Sequence, residues 1–305
     1  MQFCKCKIRF YLPIMKLKEG TLVTSGYGQE RVTNDVSNFC GLQMVGCKWH
    51  KHNDGEIEVS LNNEINGKDV LIINSTHQPH VNIISLMLLL NCVRTNNPAS
   101  VTVFIPYMGY LRQHNSFGNM LLNTFFQNGA NGIMLLDHHS RDRIYDKSKI
   151  EHLYSFDLYV EYLNELISDG IVNDFCFLAP DHGAIDMAEK YAKYYNVDLV
   201  TSTKVRDLDG SILSVNIDDE IRHKTVIIVD DIIDTGNTLF LVTQEVLKME
   251  QDVSVYMFVT HPLLSKDPEY LLKFPQIKQI VVTNSVPFSY DNKKIHVLNI
   301  AKILK

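Results

Sequence analysis

Short runs of apolar, mostly β-branched residues alternate along this chain with longer segments whose apolar residues recur at helical spacing. The short runs predict strands buried on both faces, and the longer segments predict helices. Predicted strands are residues 70–74, 101–105, 133–137, 175–179, 226–229, 253–259 and 280–283. Predicted helices are residues 81–94, 119–127, 156–167, 185–195 and 238–249. Strands that alternate with helices indicate an α/β fold with mainly parallel sheets.

The 305 residues fit one or two domains, and no low-complexity linker divides them. The polar turn at residues 167–170 and the charged segment at residues 141–151 are the best internal boundaries. We therefore expect two α/β halves, residues 20–157 and 158–305. Residues 1–19 are basic and mixed and lack the apolar core of a signal peptide. They are predicted to be a disordered extension, or Met15 is the true start.

Charge and cysteine content exclude several classes of protein. The net charge of −6 argues against a general nucleic-acid or membrane-surface binder, which needs a basic surface. The most apolar helix, residues 81–93, is too short to span a bilayer. The six cysteines are scattered and form no CxxC pair, which indicates reduced thiols and a cytoplasmic location.

The most informative stretch is residues 225–239, which read TVIIVDDIIDTGNTL. A predicted strand leads into Asp230-Asp231, then into a small polar turn, then into a helix. Ligands of open α/β sheets bind at the carboxyl ends of strands, and helix N-termini favour phosphate. Gly236 permits close backbone approach, Thr235 and Thr238 offer hydroxyl donors, and the acidic pair accepts hydrogen bonds from sugar hydroxyls. The combination predicts a sugar-phosphate site rather than the simpler alternative of solvated acids before a capped helix.

This stretch resembles the ribose-5-phosphate loop of the type I phosphoribosyltransferase-like fold, and most closely that of the ribose-phosphate pyrophosphokinase family. The resemblance covers about residues 20 to 305 and implies two phosphoribosyltransferase-like domains. The residues that it assigns to ribose 5-phosphate are Asp230, Asp231, Asp234, Thr235, Gly236, Asn237 and Thr238. Neither a Walker A loop nor a GxGxxG fingerprint is present, so ATP would not be held as in P-loop enzymes.

Two further segments resemble the family's ATP-binding elements. Asn53-Asp54-Gly55 is a tight-turn signal followed by alternating apolar residues, which predicts a hairpin. The resemblance implies that a turn of this kind reaches the ATP base in a neighbouring subunit, and hence a homo-oligomer. The implied ATP-binding residues are His52, Asp54, Gly55, Glu56, Arg112 and Gln113. Arg112 and Gln113 end the run IPYMGYLRQ, after which His114, Asn115, Ser116 and Phe117 replace a longer, basic family loop.

Metal-binding and catalytic roles are also implied by the resemblance. His139 of the run DHH and Asp181 of the run PDHG match family ligands of the Mg²⁺ that accompanies ATP. The basic residues that follow the second of these in the family are replaced here by Ile185 and Asp186. Lys204 and Arg206 alternate along an extended segment and therefore point to one side. A bare K-x-R pair is more often solvated surface, but its position matches the family's catalytic pair.

The expected reaction is transfer of the diphosphoryl group of ATP to O1 of ribose 5-phosphate, which gives phosphoribosyl pyrophosphate and AMP. Two alternatives stay open at this point. The chain could be a non-catalytic regulatory homologue, as the altered loop at residues 114–117 would allow, or it could use another ribose-5-phosphoryl acceptor such as ADP-ribose. A base phosphoribosyltransferase is less favoured because it lacks the first half of this chain.

Overall fold

The computed structural model describes residues 17–112, 116–139, 148–207, 212–290 and 292–304, with the backbone alone at Arg206 and Ile212. These residues form two compact units. The first comprises the described residues up to Asp157 together with Ile300–Leu304, and the second comprises Leu158–Asn299. Each unit is built on one mainly parallel sheet.

The first unit has a six-stranded, wholly parallel sheet in the order β2-β1-β5-β6-β7-β8 and a separate antiparallel hairpin, β3-β4. The strands are β1 (Leu22–Ser25), β2 (Gln43–Val45), β3 (Cys47–Lys51), β4 (Ile57–Leu61), β5 (Asp69–Ile73), β6 (Ser100–Ile105), β7 (Gly132–Leu136) and β8 (Ile150–Leu153). The helices are α1 (Glu30–Cys40), α2 (Val81–Thr95) and α3 (Phe117–Gln127).

Both faces of this sheet are covered, which is why its central strands are continuously apolar. Helix α2 buries Leu86, Leu89, Leu90 and Val93, which lie on one face at spacings of three and four residues. On the other face, α1 and the short 3₁₀ helix Ile300–Leu304 share one apolar cluster.

The second unit has a seven-stranded sheet in the order β11-β10-β9-β12-β13-β14-β15, parallel except for the β10-β11 pair. The strands are β9 (Phe175–Ala179), β10 (Leu199–Arg206), β11 (Ile212–Ile217), β12 (Thr225–Ile233), β13 (Ser254–Pro262), β14 (Ile277–Thr283) and β15 (Ile295–Leu298). The helices are α4 (Phe156–Ser168), which begins at the unit boundary, α5 (Ile185–Tyr195), α6 (Asn237–Met249) and α7 (Glu269–Leu272).

The strand order of the second unit reverses at β9. From β9 the chain first adds β10 on one side and then β12 on the other. Such a switch point opens a crevice at the carboxyl ends of the strands, where ligands of open α/β sheets bind. The loop after β9, the end of β10 and the end of β12 therefore meet at one edge of the sheet.

The amino ends of the same three strands are joined by a histidine. The His223 ring lies between two carboxylates, with its Nδ1 2.7 Å from Asp174 Oδ1 and its Nε2 3.0 Å from Asp198 Oδ2. These residues precede β12, β9 and β10, respectively. The histidine thus fastens the edge of the sheet that is opposite the crevice.

The predicted α/β class with mainly parallel sheets is confirmed. One local expectation needs correction. The segment Ile300–Leu304 packs in the first unit, not the second, because Ile300, Ala301 and Leu304 complete the cluster around α1. The expected disordered extension, residues 1–19, lies mostly outside the described residues, but Leu17 packs on that cluster and Lys18 Nζ lies 3.0 Å from Asp69 Oδ2.

Several strands were missed because they are short or half-polar, notably β1, β2, β8 and β15. The charged segment proposed as a boundary, residues 141–151, lies largely outside the described residues, although its end contributes to β8. Within the described part of the chain, no helix combines the length and apolar character needed to cross a bilayer.

Candidate functional site

A cation and three carboxylates lie together at the crevice of the second unit. Asp181 follows β9, where its Oδ1 accepts a hydrogen bond of 3.2 Å from the Ala184 N–H, and its Oδ2 forms an ion pair with Lys204 Nζ. Only 12% of the Lys204 side chain is exposed. Solvent therefore screens this pair weakly. The structure thus brings together two residues that are 23 positions apart in the sequence.

The acidic pair of β12 adjoins this ion pair. Burial raises the pKa of Asp230 well above its usual range, and the negative charges of Asp231 and Asp181 raise it further. The Asp231 N–H donates to Asp230 Oδ1 at 2.9 Å. Such a carboxylate gains most from a ligand that brings hydroxyl donors or positive charge.

Oxygen ligands of this kind suit a hard divalent cation. Among the described residues, no group of three or more His, Cys, Asp or Glu side chains is arranged to hold a metal. A cation such as Mg²⁺ usually takes only one or two protein carboxylates and completes its shell with water and substrate phosphates. Asp181, Asp230 and Asp231 lie close enough to interact and supply carboxylate oxygens of that kind.

The turn that joins β12 to α6, residues 234–238, is hereafter the phosphate turn. Gly236, the N-cap residue of α6, adopts φ 74° and ψ 2° and has no side chain with which to cap the helix. The Asn237 N–H donates a hydrogen bond of 3.4 Å to Thr235 Oγ1. The other backbone N–H groups in the first turn of a helix are donors for an anion. The turn therefore joins a positive-φ glycine directly to a helix N-terminus, and its binding of phosphate stays a prediction.

Glycine is required at position 236 by its surroundings as well as by its backbone angle. A Cβ atom there would lie 2.7 Å from the Tyr270 hydroxyl and 2.9 Å from Leu271 Cδ1. Both residues belong to α7, which packs against the turn. The Tyr270 hydroxyl also donates a hydrogen bond to the Thr235 carbonyl. Tyr270 could not be predicted from the sequence, because no local pattern connects α7 with the turn.

In the first unit, the predicted hairpin turn is formed between β3 and β4. The His52 N–H donates to the Glu56 carbonyl at 2.8 Å, and the Gly55 N–H donates to the His52 carbonyl at 3.0 Å. Asp54 Oδ1 accepts from the Glu56 N–H at 3.0 Å. The turn is exposed, with the His52 ring against His50 at a centroid distance of 4.6 Å.

The loop after β6 is held from the neighbouring strand β5. The Tyr107 N–H donates to Ser75 Oγ at 3.1 Å, and the Gly109 N–H donates to Thr76 Oγ1 at 2.8 Å. This loop leads to Arg112, whose side chain is exposed at the end of the described segment. Gln113, the other predicted residue of the pair, lies outside the described residues. The supporting Ser75 and Thr76 were not singled out from the sequence, although they directly follow a predicted strand.

The three residues after β7 have separate roles. Asp137 is buried, and its Oδ2 accepts hydrogen bonds from the Ser155 N–H at 3.1 Å and from the Ser155 hydroxyl. His138 is also buried and contacts His152. His139, three residues beyond the end of β7, is exposed. The first two residues thus build the loop that presents the third.

The structure places the other predicted residues as follows. Lys204 lies near the end of β10, and Arg206 ends that strand, with its side chain outside the described part of the structure. Asp234, Thr235 and Thr238 are half-buried, and Asn237 is exposed. The seven residues predicted for sugar phosphate therefore line one strand end and one helix start.

The mainly parallel sheet of the second unit, its switch point at β9 and the glycine turn after the acidic end of β12 define a protein of the phosphoribosyltransferase-like α/β class. The fold agrees with the crystal structure of phosphoribosylpyrophosphate synthetase from Mycobacterium smegmatis, with a TM-score of 0.82 over 94% of this chain and 96% of that chain, at 22% identity. This likeness establishes two phosphoribosyltransferase-like domains.

Sequence comparison identifies the family. Residues 21–119 match the N-terminal domain of ribose phosphate pyrophosphokinase, and residues 205–305 match the phosphoribosyl synthetase-associated domain. The ribose-phosphate pyrophosphokinase of Staphylococcus saprophyticus is 29% identical over 276 residues, which is 87% of this chain and 85% of that protein. The Staphylococcus epidermidis protein of the same name is 28% identical over 277 residues, with the same coverage. The chain belongs to the ribose-phosphate pyrophosphokinase family.

Proposed function

We propose that this chain transfers the β,γ-diphosphoryl group of ATP to O1 of ribose 5-phosphate, with phosphoribosyl pyrophosphate and AMP as products. The observation that carries the proposal is the arrangement at the crevice of the second unit. An ion-paired lysine, an acidic pair in which Asp230 has a raised pKa, and the N-terminus of α6 lie at the carboxyl ends of neighbouring strands. Family membership supports the same reaction.

Ribose 5-phosphate is the substrate of the phosphate turn and the acidic pair. Its 5-phosphate would accept hydrogen bonds from the backbone N–H groups at the start of α6 and from the hydroxyls of Thr235 and Thr238. Asp230 and Asp231 would accept hydrogen bonds from the ring hydroxyls. The Asp231 N–H already donates to Asp230 Oδ1, so the Asp230 carboxylate is oriented before the sugar binds.

In the reaction, O1 of the sugar attacks the β-phosphorus of ATP and AMP leaves. Lys204 and Arg206 would stabilise the negative charge that shifts to the leaving and transferred oxygens. Phosphoryl transfer depends mainly on such positioning and electrostatic stabilisation. Asp181 holds Lys204 at the crevice in the ligand-free protein, which keeps its ammonium group where the phosphates arrive.

Mg²⁺ and ATP complete the proposal. His139 and Asp181 are each proposed as a protein ligand of Mg²⁺, as the family resemblance implies, and bound Mg²⁺ would neutralise triphosphate charge. Arg112 and Gln113 would contact ATP within the subunit. The exposed hairpin turn, with His52, Asp54, Gly55 and Glu56, would contact ATP of a neighbouring subunit, and a homo-oligomer follows. We further propose a cytoplasmic location, in keeping with the scattered cysteines.

The two alternatives make different predictions in one experiment. The protein is incubated with ATP, Mg²⁺ and ribose 5-phosphate, and in parallel with ADP-ribose, and the products are identified by mass spectrometry. We expect AMP and phosphoribosyl pyrophosphate from ribose 5-phosphate. Product from ADP-ribose alone would show another acceptor, and AMP formation from neither acceptor would support a regulatory homologue. The family comparisons favour the enzyme over that regulatory role.

A further inference from the structure

We propose that Tyr270 is a positioning residue for the phosphate turn. Its hydroxyl fixes the peptide between Thr235 and Gly236, so that the Gly236 N–H faces the bound 5-phosphate. This inference rests on the proposed function, because it takes ribose 5-phosphate as the ligand of the turn. It adds a residue from a separate element, α7, to the machinery that binds the substrate.

The Tyr270 ring is held firmly enough to act in this way. The ring is half-buried and packs edge-on against Phe240, with 5.4 Å between ring centroids. Phe240 belongs to the first turn of α6, and its N–H donates to the Gly236 carbonyl at 2.9 Å. The tyrosine and the phosphate turn therefore share a rigid support, and the Tyr270 hydroxyl reaches the Thr235 carbonyl from it.

The planarity of the peptide bond relates the Tyr270 contact to the side of the turn that faces the ligand. In a trans peptide, the carbonyl of one residue and the N–H of the next point in opposite directions. Because the Thr235 carbonyl is directed at Tyr270, the Gly236 N–H is directed away from Tyr270 and α7. That direction joins the N–H to the donors at the start of α6, which is where an anion binds.

The same tyrosine also limits how far the turn can move. The α-carbon of Gly236 lies so close to α7 that an added Cβ would be 2.7 Å from the Tyr270 hydroxyl. Contact with the tyrosine therefore prevents the turn from moving closer to α7. Without the hydroxyl, the Thr235 carbonyl would lose its donor, and the peptide could rotate its N–H out of the binding direction.

The test is Tyr270→Phe with Tyr195→Phe as a matched control. The Tyr195 hydroxyl also donates to a backbone carbonyl within the second unit, that of Val160, at 3.2 Å. Titration calorimetry measures the binding of ribose 5-phosphate and of inorganic phosphate to each purified full-length protein. We expect Tyr270→Phe to raise the Kd of ribose 5-phosphate about fivefold, the usual effect of one lost hydrogen bond. The control should stay within about twofold of wild type.

Further readouts separate positioning from general weakening of the fold. Tyr270→Phe should raise the KM for ribose 5-phosphate and leave the KM for ATP unchanged. In ¹H–¹⁵N spectra, the Gly236 amide should shift on phosphate addition in wild type and much less in the variant. An unchanged Kd for ribose 5-phosphate in Tyr270→Phe, or an equal loss in Tyr195→Phe, would overturn the role of Tyr270 while the proposed function stands. Failure of the wild-type protein to bind ribose 5-phosphate would overturn both.

Discussion

The most direct structural prediction concerns Gly236→Ala in the phosphate turn. Two costs add at this position. An alanine in the left-handed region costs about 1–2 kcal/mol, and its Cβ would lie 2.7 Å from the Tyr270 hydroxyl and 2.9 Å from Leu271 Cδ1. Relief of such contacts in packed structure costs a further ~1–3 kcal/mol. We therefore expect Gly236→Ala to lower the free energy of unfolding by about 2–5 kcal/mol.

Gly170→Ala is the matched control for this prediction. Gly170 has φ 71°, close to the φ of Gly236, but nothing lies within 4 Å of a Cβ built there. Its substitution should cost only the backbone term, about 1–2 kcal/mol. Urea unfolding followed by circular dichroism gives both values, and calorimetry gives the affinity for ribose 5-phosphate. Only Gly236→Ala should lose that affinity. Equal destabilisation of the two variants, with ribose 5-phosphate still bound, would refute the close packing of turn and α7.

Three further predictions concern charged groups of the second unit. Lys204→Ala should reduce turnover by about 10²–10³-fold, the usual cost of losing one charge stabiliser. Substitution of the exposed Lys193 by alanine should not reduce turnover, and equal turnover in wild type and both variants would remove Lys204 from the mechanism. Burial and neighbouring carboxylates raise the pKa of Asp230, so ionisation of this group destabilises the folded protein as pH rises above the unfolded aspartate pKa of ~3.9. Asp230→Asn should therefore increasingly stabilise the ligand-free protein relative to wild type as pH rises; a pH-independent difference in melting temperature would contradict this. Burial opposes protonation of His223, but hydrogen bonds to its two aspartate partners outweigh it and raise the pKa; this stabilisation is complete below the unfolded pKa of ~6.5 and is lost as pH rises through the higher folded value. His223→Gln should therefore make the fall in melting temperature above pH ~6.5 less steep. The same pH dependence of melting temperature in variant and wild type would show that protonation of His223 does not stabilise the fold.

Local sequence signals predicted much of the site. The apolar run at residues 226–229 predicted the strand β12, and the pattern DTGNT predicted the turn after it. Asn53-Asp54-Gly55 predicted the hairpin of β3 and β4. Each of these depends on interactions between residues that are close in sequence. Turn and strand preferences of this kind are therefore readable without tertiary information.

Features that depend on distant contacts could not be predicted in the same way. The ion pair of Lys204 with Asp181 requires the pairing of β9 with β10, and the Tyr270 hydrogen bond to Thr235 spans 35 positions. The placement of Ile300–Leu304 in the first unit depends on an apolar face that α1 leaves uncovered. The pattern of charge and hydropathy along the chain does not predict these contacts.

The central claim is diphosphoryl transfer to ribose 5-phosphate at the crevice of the second unit. Its most direct test is one turnover with ATP labelled at the β-phosphorus, carried out with wild-type protein and with Asp230→Asn. We predict that wild type places the label in the phosphorus bonded to O1 of the ribose, with unlabelled AMP as the second product, and that Asp230→Asn forms far less of this ester. Label that stays in ADP or inorganic phosphate, or an equal yield from Asp230→Asn, would contradict the account.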